Sequence, residues 1–336
     1  MKIKKIALAL ALTTAFCTAA AGALTEPVKL IFAAQEEGTA AYSYAVALQE
    51  AMLKGLPKDS EIHITTNSPG GVSAAIIVNN ATKCDIVISN AVPAKMSKEK
   101  GLPHMQRTPN IACLAGGLGN DFINIMCTKK FVDKTGIKTI EQLVAKKYPV
   151  KLAVKKNGTF GEMSAEKVFE ALGVRMNDIN NWGGSVEKIS SEAIKTGLQE
   201  DIYDMTIDHI GAGQPNTAEL CRTHAMYCVQ MAPKTMAKLV EMGYNYAAIP
   251  ANHWKGQTKE IKTVGSQQLI LVSTTMSKDV AYALTKAVCE NAKELGEAVP
   301  SMSCFDPKTA GRRAITGVPL HEGAEKYYKE MGYATK

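Results

Sequence analysis

Short apolar segments typical of strands alternate with segments of helical periodicity along most of this 336-residue chain. The pattern predicts strands at 28–33, 61–66 and 85–89, and helices at 41–52 and 72–79. Repeated strand–loop–helix units favour a parallel sheet with right-handed crossovers. The sequence therefore predicts an α/β fold.

The pattern changes in the middle of the chain. Strand-like runs at 111–118 and 122–127 are separated by Gly116, Gly117 and Gly119, which predicts an antiparallel pair of strands. Alternation then resumes, with strands expected at 150–154, 202–207, 225–231 and 269–273, and helices at 139–146, 164–172, 185–198 and 280–295.

Two βα blocks with a change of pairing between them predict two α/β lobes. We expect the first lobe over 24–130, the second over 131–261, and a return to the first lobe with C-terminal helices over 262–336. Ligands in such folds bind where strands lead into helix N-termini, so the default site is the cleft between the lobes.

Residues 1–23 have the order of a secretory signal peptide. Lys2, Lys4 and Lys5 precede an apolar run over 6–20, and cleavage is expected near Ala21 or Ala23. The run is shorter than the roughly 20 residues that cross a bilayer, although an N-terminal anchor is the alternative. We therefore expect a periplasmic protein that does not span the membrane after cleavage.

The charge balance does not favour nucleic-acid binding. The formal net charge of +7 comes from 39 basic and 32 acidic residues, and removal of the three leader lysines gives 36 − 32 = +4. This excess is small and scattered, whereas nucleic-acid partners select clustered basic residues.

Seven cysteines follow the leader, an odd number for an exported chain. Cys221 and Cys228 are close enough in sequence to pair, as are Cys289 and Cys304. Cys221, His224 and Cys228 also form the one metal-like spacing. Zinc would need a fourth ligand and reduced thiols, so a disulfide or buried thiols is favoured and no metal is predicted.

No catalytic motif supports an enzyme. The chain lacks G-x-S-x-G, H-E-x-x-H and P-loop patterns. Gly116, Gly117 and Gly119 superficially resemble a dinucleotide loop, but Phe122 stands where its last glycine would be. We predict neither enzymatic activity nor a cofactor.

Instead, glycine, hydroxyl and amide groups recur where predicted strands lead into helices. Backbone N–H groups at such helix starts suit a carboxylate, although helix capping alone is the alternative, as in Thr159-x-x-Glu162. The candidate ligand-binding residues are Gly38, Thr39, Tyr42, Asn67, Ser68, Asn90, Gly158, Thr159, Phe160, Gly161, Gly213, Gln214 and Asn216.

The C-terminal run at 318–332 carries Pro319-Leu320-His321, then Gly323-Ala324, Tyr327-Tyr328 and Gly332. This run resembles the characteristic ending of the TAXI family, the exported solute receptors of tripartite ATP-independent periplasmic (TRAP) transporters. The segments 168–174, 213–216 and 284–288 carry the same resemblance, which covers essentially the whole mature chain.

The resemblance implies a two-lobed type II periplasmic binding protein that captures a small organic anion, most often a dicarboxylate or an acidic amino acid. Delivery to a TRAP membrane transporter would follow. A sensory receptor presenting the same solute to a signalling kinase is the alternative, and an enzyme on the same fold is a third.

The chain departs from the family in the loop over 157–162. Phe160 or Glu162 stands where relatives often carry arginine, depending on the register. No arginine lies in a predicted pocket loop, so no bidentate Arg–carboxylate clamp is predicted. We expect Tyr327 and Tyr328 to pack a C-terminal helix on the first lobe, and His321 to cap that helix outside the site.

Overall fold

A computed structural model describes residues 24–68, 70–102, 106–211 and 213–336, so the predicted signal peptide lies outside the described residues. The described strands join one ten-stranded sheet. They are β1 (Lys29–Ala33), β2 (Glu61–Thr65), β3 (Ile86–Asn90), β4 (Ile111–Thr128), β5 (Lys151–Lys155), β6 (Ser185–Ile189), β7 (Met205–Gly211), β8 (Met226–Cys228), β9 (Asn245–Ile249) and β10 (Ile261–Ser273).

Helices cover both faces of this sheet's two halves. They are α1 (Ala40–Lys54), α2 (Gly71–Asn79), α3 (Ala91–Glu99), α4 (Lys129–Thr135), α5 (Ile140–Ala145), α6 (Phe160–Ala171), α7 (Asp178–Asn181), α8 (Ser191–Gln199), α9 (Pro215–Thr223), α10 (Pro233–Glu241), α11 (Lys278–Glu290), α12 (Ala292–Ala298), α13 (Arg313–Thr316) and α14 (Glu322–Glu330), with a 3₁₀ turn at Pro300–Met302.

The strand order β2-β1-β3-β10-β4-β7-β5-β6 divides the sheet into two parallel ends joined by an antiparallel centre. β1 pairs in parallel with β2 and β3, and β5 pairs in parallel with β6 and β7. The long strands β4 and β10 run antiparallel to each other and to their outer neighbours. This is the predicted α/β, two-lobed architecture, with β4 and β10 as the strands that connect the lobes.

β4 corrects the prediction of two strands joined by a glycine turn. It is a single strand of 18 residues that pairs with β10 in one lobe and with β7 in the other. The glycines serve close packing and a register shift in the pairing of β4 with β10, where residues 117–119 of β4 lie opposite Gln268, rather than a turn. A Cβ on Gly119 would lie 2.1 Å from the Tyr44 hydroxyl, and Gly117 adopts φ of 69°.

Two other predicted elements differ from the structure, and one strand was not predicted. The helix expected over 185–198 is instead β6 followed by α8, because Ser190 is extended and its Oγ caps α8 by accepting the Ala193 N–H at 3.1 Å. The helix expected over 280–295 is interrupted at Asn291, between α11 and α12. The exposed strand β9 pairs with β10 and was not predicted.

Two apolar cores lie under the two ends of the sheet. One packs α1, α11 and α14 on β1–β3, and includes Tyr44 and Phe32; the other packs α6 and α10 on β5 and β7, and includes Phe169 and Leu239. Burial of such side chains contributes roughly 1.5–3 kcal/mol each. Each end of the sheet thus has its own core, and the second core also includes Val72 of α2 and Val92 of α3.

The C-terminal helix α14 packs as predicted. Tyr327 and Tyr328 belong to the first core, and the Tyr328 hydroxyl donates to the Leu114 carbonyl at 3.1 Å. His321 is the N-cap residue, and its Nδ1 accepts the Gly323 N–H at 3.2 Å. These contacts confirm a structural role for this motif.

The seven described cysteines are free thiols, so neither suggested disulfide is present. Cys221 and Cys228 are buried in a small apolar cluster, and Cys221 Sγ lies 3.9 Å from Met126 Sδ. His224 is directed elsewhere, with Nε2 3.8 Å from Asp201 Oδ1. Within the described residues, no group of three or more histidine, cysteine or acidic side chains is placed to hold a metal.

In the described part of the chain, no helix has both the length and the apolar character needed to cross a bilayer.

Candidate functional site

The candidate site is a closed pocket between the lobes, beside the strands that connect them. It encloses about 40 Å³, which is small beside the several hundred Å³ of typical ligand pockets and indicates a closed cleft. Its lining residues are Gln35, Thr39, Ala40, Ala41, Gly71, Ile88, Asn90, Asp121, Lys155, Thr159, Phe160, Gly161, Asp208, His209, Ile210, Gly211, Gln214 and Gln268.

The N-terminus of α1 forms one wall of the pocket. Thr39 is the N-cap residue: its Oγ1 accepts the Tyr42 N–H at 3.2 Å and donates to the Glu36 carbonyl at 2.7 Å. The first-turn N–H groups of Ala40 and Ala41 have no acceptor within the helix, and both residues belong to the pocket lining. This wall therefore offers backbone donors rather than a free hydroxyl.

The N-terminus of α6 forms the facing wall in the same way. Thr159 Oγ1 accepts the Glu162 N–H at 3.1 Å and donates to the Lys156 carbonyl at 2.8 Å. The N–H groups of Phe160 and Gly161 remain beside the pocket. The partial positive charge of both helix N-termini thus faces the same space, which suits an anionic group.

Glu36 connects the two walls. Its Oε1 lies 3.5 Å from Lys155 Nζ and accepts the Ser191 N–H at 2.7 Å, while its Oε2 lies 3.3 Å from Lys156 Nζ. Burial acts to raise the pKa of Glu36, but the Ser191 N–H and the charge of Lys155 outweigh it, so the pKa lies below its ordinary value. Glu36 is therefore ionised and holds the cleft closed.

The floor of the pocket carries a buried carboxylate on β4. Asp121 accepts the Asn90 Nδ2 at 3.0 Å and the Gln268 Nε2 at 2.7 and 2.8 Å. Burial raises its pKa to about 7, and the charge of Asp208 adds to this, against the effect of the two amides. Among the described residues no lysine or arginine lies within 4.0 Å of the Asp121 carboxylate.

Asp208 and His209 lie beside it on β7. Burial raises the pKa of Asp208 to about 6, although Lys155 opposes this. Burial also lowers the pKa of His209 to about 3, so its imidazole is neutral, and its ring centroid lies 4.2 Å from that of Phe160. A Cβ on Gly161 would lie 2.1 Å from Asp208 Oδ1, which explains the glycine there.

The structure brings together six of the predicted site residues in this lining: Thr39, Asn90, Thr159, Phe160, Gly161 and Gln214. The Gln214 amide caps α9 and donates from Nε2 to Ser191 Oγ at 3.1 Å. The Asn90 Nδ2 donates to Asp121 Oδ2 at 3.0 Å and to the Ser266 carbonyl at 3.4 Å.

Two predicted glycines sit at contacts between the lobes rather than in the lining. The Gly38 carbonyl accepts the Asn216 N–H at 3.3 Å, and the Gly158 carbonyl accepts the Ser73 N–H at 3.0 Å. Asn216, also predicted, therefore acts here as a lobe-to-lobe contact.

The other predicted residues lie away from the central pocket. Asn67 and Ser68 line a neighbouring pocket with Thr66, Lys155 and Thr159. Tyr42 packs against the core of the first lobe, and Gly213 is exposed.

The residues that sequence reasoning missed lie within strands rather than loops. Asp121, Lys155, Asp208, His209 and Gln268 all line the pocket from β4, β5, β7 and β10. The available signal was a polar residue inside an otherwise apolar strand, as in Asp208-His209 within β7. Burying such groups is costly, so they usually have a specific partner or function.

Solved structures share this architecture. MatC from Rhodopseudomonas palustris, with bound malate, is 13% identical over 91% of this chain and 98% of its own, with a TM-score of 0.56. PhnD1 from Prochlorococcus marinus (MIT 9301), in complex with methylphosphonate, is 10% identical over 84% and 92%, with a TM-score of 0.54. The periplasmic binding protein BugD is 14% identical over 91% and 98%, with a TM-score of 0.52.

The fold is that of the periplasmic solute-binding proteins, a class that binds its substrates and is not enzymatic. The chain belongs to the NMT1-like family, whose profile matches residues 32–332. A search of curated proteins found no match. The prediction that the chain is not an enzyme agrees with this class.

Proposed function

We propose that this protein is the periplasmic solute receptor of a TRAP transporter. It binds a small organic anion, a dicarboxylate or an acidic amino acid, between its lobes and delivers it to the membrane component. The leader would direct export and be cleaved near Ala21 or Ala23. The TAXI-like C-terminal motif at 318–332 supports the choice of transporter.

The observation that carries the proposal is the facing pair of helix N-termini, α1 and α6, in a closed pocket between the lobes. Because each cap uses its own threonine hydroxyl, the adjacent backbone N–H groups stay available for a carboxylate. A ligand that bridges both walls stabilises the closed form over the open one.

Purification from the native host followed by native mass spectrometry tests the binding function. We expect one small organic acid per protein, and a mature mass that starts after Ala21 or Ala23. A protein that arrives empty and binds no organic acid or amino acid in a calorimetric panel would contradict it.

Reconstitution tests the transporter partner. Proteoliposomes containing the TRAP membrane component of the same genome should accumulate the released acid only when the protein and an ion gradient are both present. Uptake that does not depend on the added protein would contradict the assignment and leave solute binding intact.

A further inference from the structure

The pocket lining combines backbone donors with acidic side chains. The first-turn N–H groups of α1 and α6 line it together with the carboxylates of Asp121 and Asp208. The N–H groups suit one carboxylate of a ligand, whereas the buried acidic side chains repel a second one. A ligand with two carboxylates would place one of them against buried acidic groups.

A count of charges around the pocket leaves one carboxylate without a cation. Among the described residues, Glu36, Asp121 and Asp208 supply three acidic groups, and Lys155 and Lys156 supply two cations. Both lysines contact Glu36, and Lys155 also acts on Asp208. Asp121 receives only the two neutral amides of Asn90 and Gln268.

Unpartnered polar atoms lie beside this carboxylate. Gln268 is 3% exposed, and its Oε1 has no hydrogen-bond partner in the described structure although its Nε2 binds Asp121. His209 is 8% exposed, and neither ring nitrogen is bonded; Nδ1 lies 3.8 Å from Asp121 Oδ2. Buried groups of this kind are normally satisfied, so they point to a ligand.

We infer that the ligand carries a protonated amine that binds Asp121, with the Gln268 Oε1 as a second acceptor. An ammonium has three donors and no acceptor, which matches a carboxylate beside an amide oxygen. The inference rests on the proposed receptor function and narrows its ligand to an amino acid or a related zwitterion. The carboxylate of that ligand lies at the N-termini of α1 and α6.

Matched ligand pairs test the amine directly. Calorimetry would compare L-glutamate with 2-oxoglutarate, L-aspartate with oxaloacetate, and L-leucine with 4-methyl-2-oxopentanoate, since each pair differs only in amine against ketone. We expect an amino acid to bind at least tenfold more tightly than its oxo acid. A bound ligand released from the native protein should also react with a primary-amine reagent.

The variant Asp121→Asn should change the affinities for the two ligands of a pair differently. It keeps the shape of the side chain but removes the charge. The affinity for an amino acid should therefore fall tenfold or more, whereas the affinity for its oxo acid should stay the same or rise. Asp133→Asn, an exposed position on α4 outside the pocket lining, is the control and should change neither. Melting temperatures would confirm that both variants fold.

The outcomes separate the two proposals. An oxo acid that binds the native protein at least as well as its amino acid, or an amino acid whose affinity is unchanged by Asp121→Asn, overturns the inference of a ligand amine while the receptor function stands. No binding by any probe, together with an empty native protein, overturns the receptor function and the inference with it.

Discussion

The segments that lead into α1 and α6 have the same backbone and capping features but carry opposite charges. Each passes through a glycine with positive φ, 79° at Gly38 and 81° at Gly158, and then a threonine that caps the helix. The loop before α1 is acidic and brings Glu36 to the cleft. The segment before α6 is basic: Lys155 at the end of β5 and Lys156 in the loop both contact Glu36.

The likeness and the difference have separate consequences. The shared caps place the same kind of helix N-terminus in both lobes, which is the basis of our proposal that one carboxylate bridges them. The opposite charges upstream attract only when the lobes approach, because the charge pairs form across the cleft. We therefore expect ligand affinity to depend also on residues that do not touch the ligand.

We expect the largest loss of ligand affinity from removing the negative charge of Glu36 in the loop before α1. Glu36→Gln deletes the charge that contacts Lys155, which is only 5% exposed and would keep Asp208 as its remaining acidic neighbour. We expect ligand affinity to fall about tenfold to a hundredfold, matching the roughly 1.5–3 kcal/mol of hydrogen bonds to charged groups. Calorimetry with the ligand recovered from the native protein measures this loss.

Glu37→Gln is the matched control, since Glu37 is adjacent and exposed. It should change affinity by less than about twofold, as surface charges contribute little. Equal effects of the two variants would mean that Glu36 does not hold the cleft closed.

The next effect comes from filling the space at the two glycines. A Cβ at Gly38 would lie 2.6 Å from Asn216 Oδ1, and one at Gly158 would lie 2.3 Å from Ser73 Oγ. Alanine at either position should weaken ligand binding, because both contacts join the lobes, and should destabilise the fold by about 1–2 kcal/mol from the left-handed backbone. Parallel binding and thermal unfolding measurements separate these effects.

Gly173→Ala isolates the backbone contribution. Gly173 has φ of 82°, and nothing lies within 4 Å of an added Cβ. The variant should lose stability and keep its affinity. Loss of affinity here would show that the binding defect at the other two glycines reflects general destabilisation.

The smallest effect should come from the two caps. Thr39→Ala and Thr159→Ala each remove an N-cap hydroxyl that serves its own helix, so each should cost about 1 kcal/mol of unfolding free energy. Serine at either position should restore most of this. A different result would show that the hydroxyl contacts the ligand directly. In that case the alanine variant would lose much of its affinity, the serine variant would regain it, and the melting temperature would not change.

The helix ends of this site could be predicted because capping signals are local. Thr39 and Thr159 stand three residues before the N–H groups they accept, and the glycines that precede them mark the turn. The two-lobed α/β fold was predictable for a similar reason, because the alternation of strands and helices is a local pattern in the sequence. Local rules sufficed for both.

The pocket floor could not be predicted by the same rules. Asp121 and Gln268 are 147 positions apart in sequence and meet only because β4 pairs with β10, next to a register shift. Strand pairing over that distance depends on tertiary packing, which periodicity does not report. The same limit explains why β4 was read as two strands and why β9 was missed.

The position of β10 in the sheet has a consequence for how the protein is made. β10 lies between β3 and β4 in the sheet, yet it begins at Ile261, which is 261 − 90 = 171 positions after β3 ends at Asn90. Its place in the sheet therefore stays vacant until the chain has been synthesised beyond residue 261. Such non-local pairing is slow to form, so the nascent chain lacks its finished sheet while the segments from β4 to β9 are made.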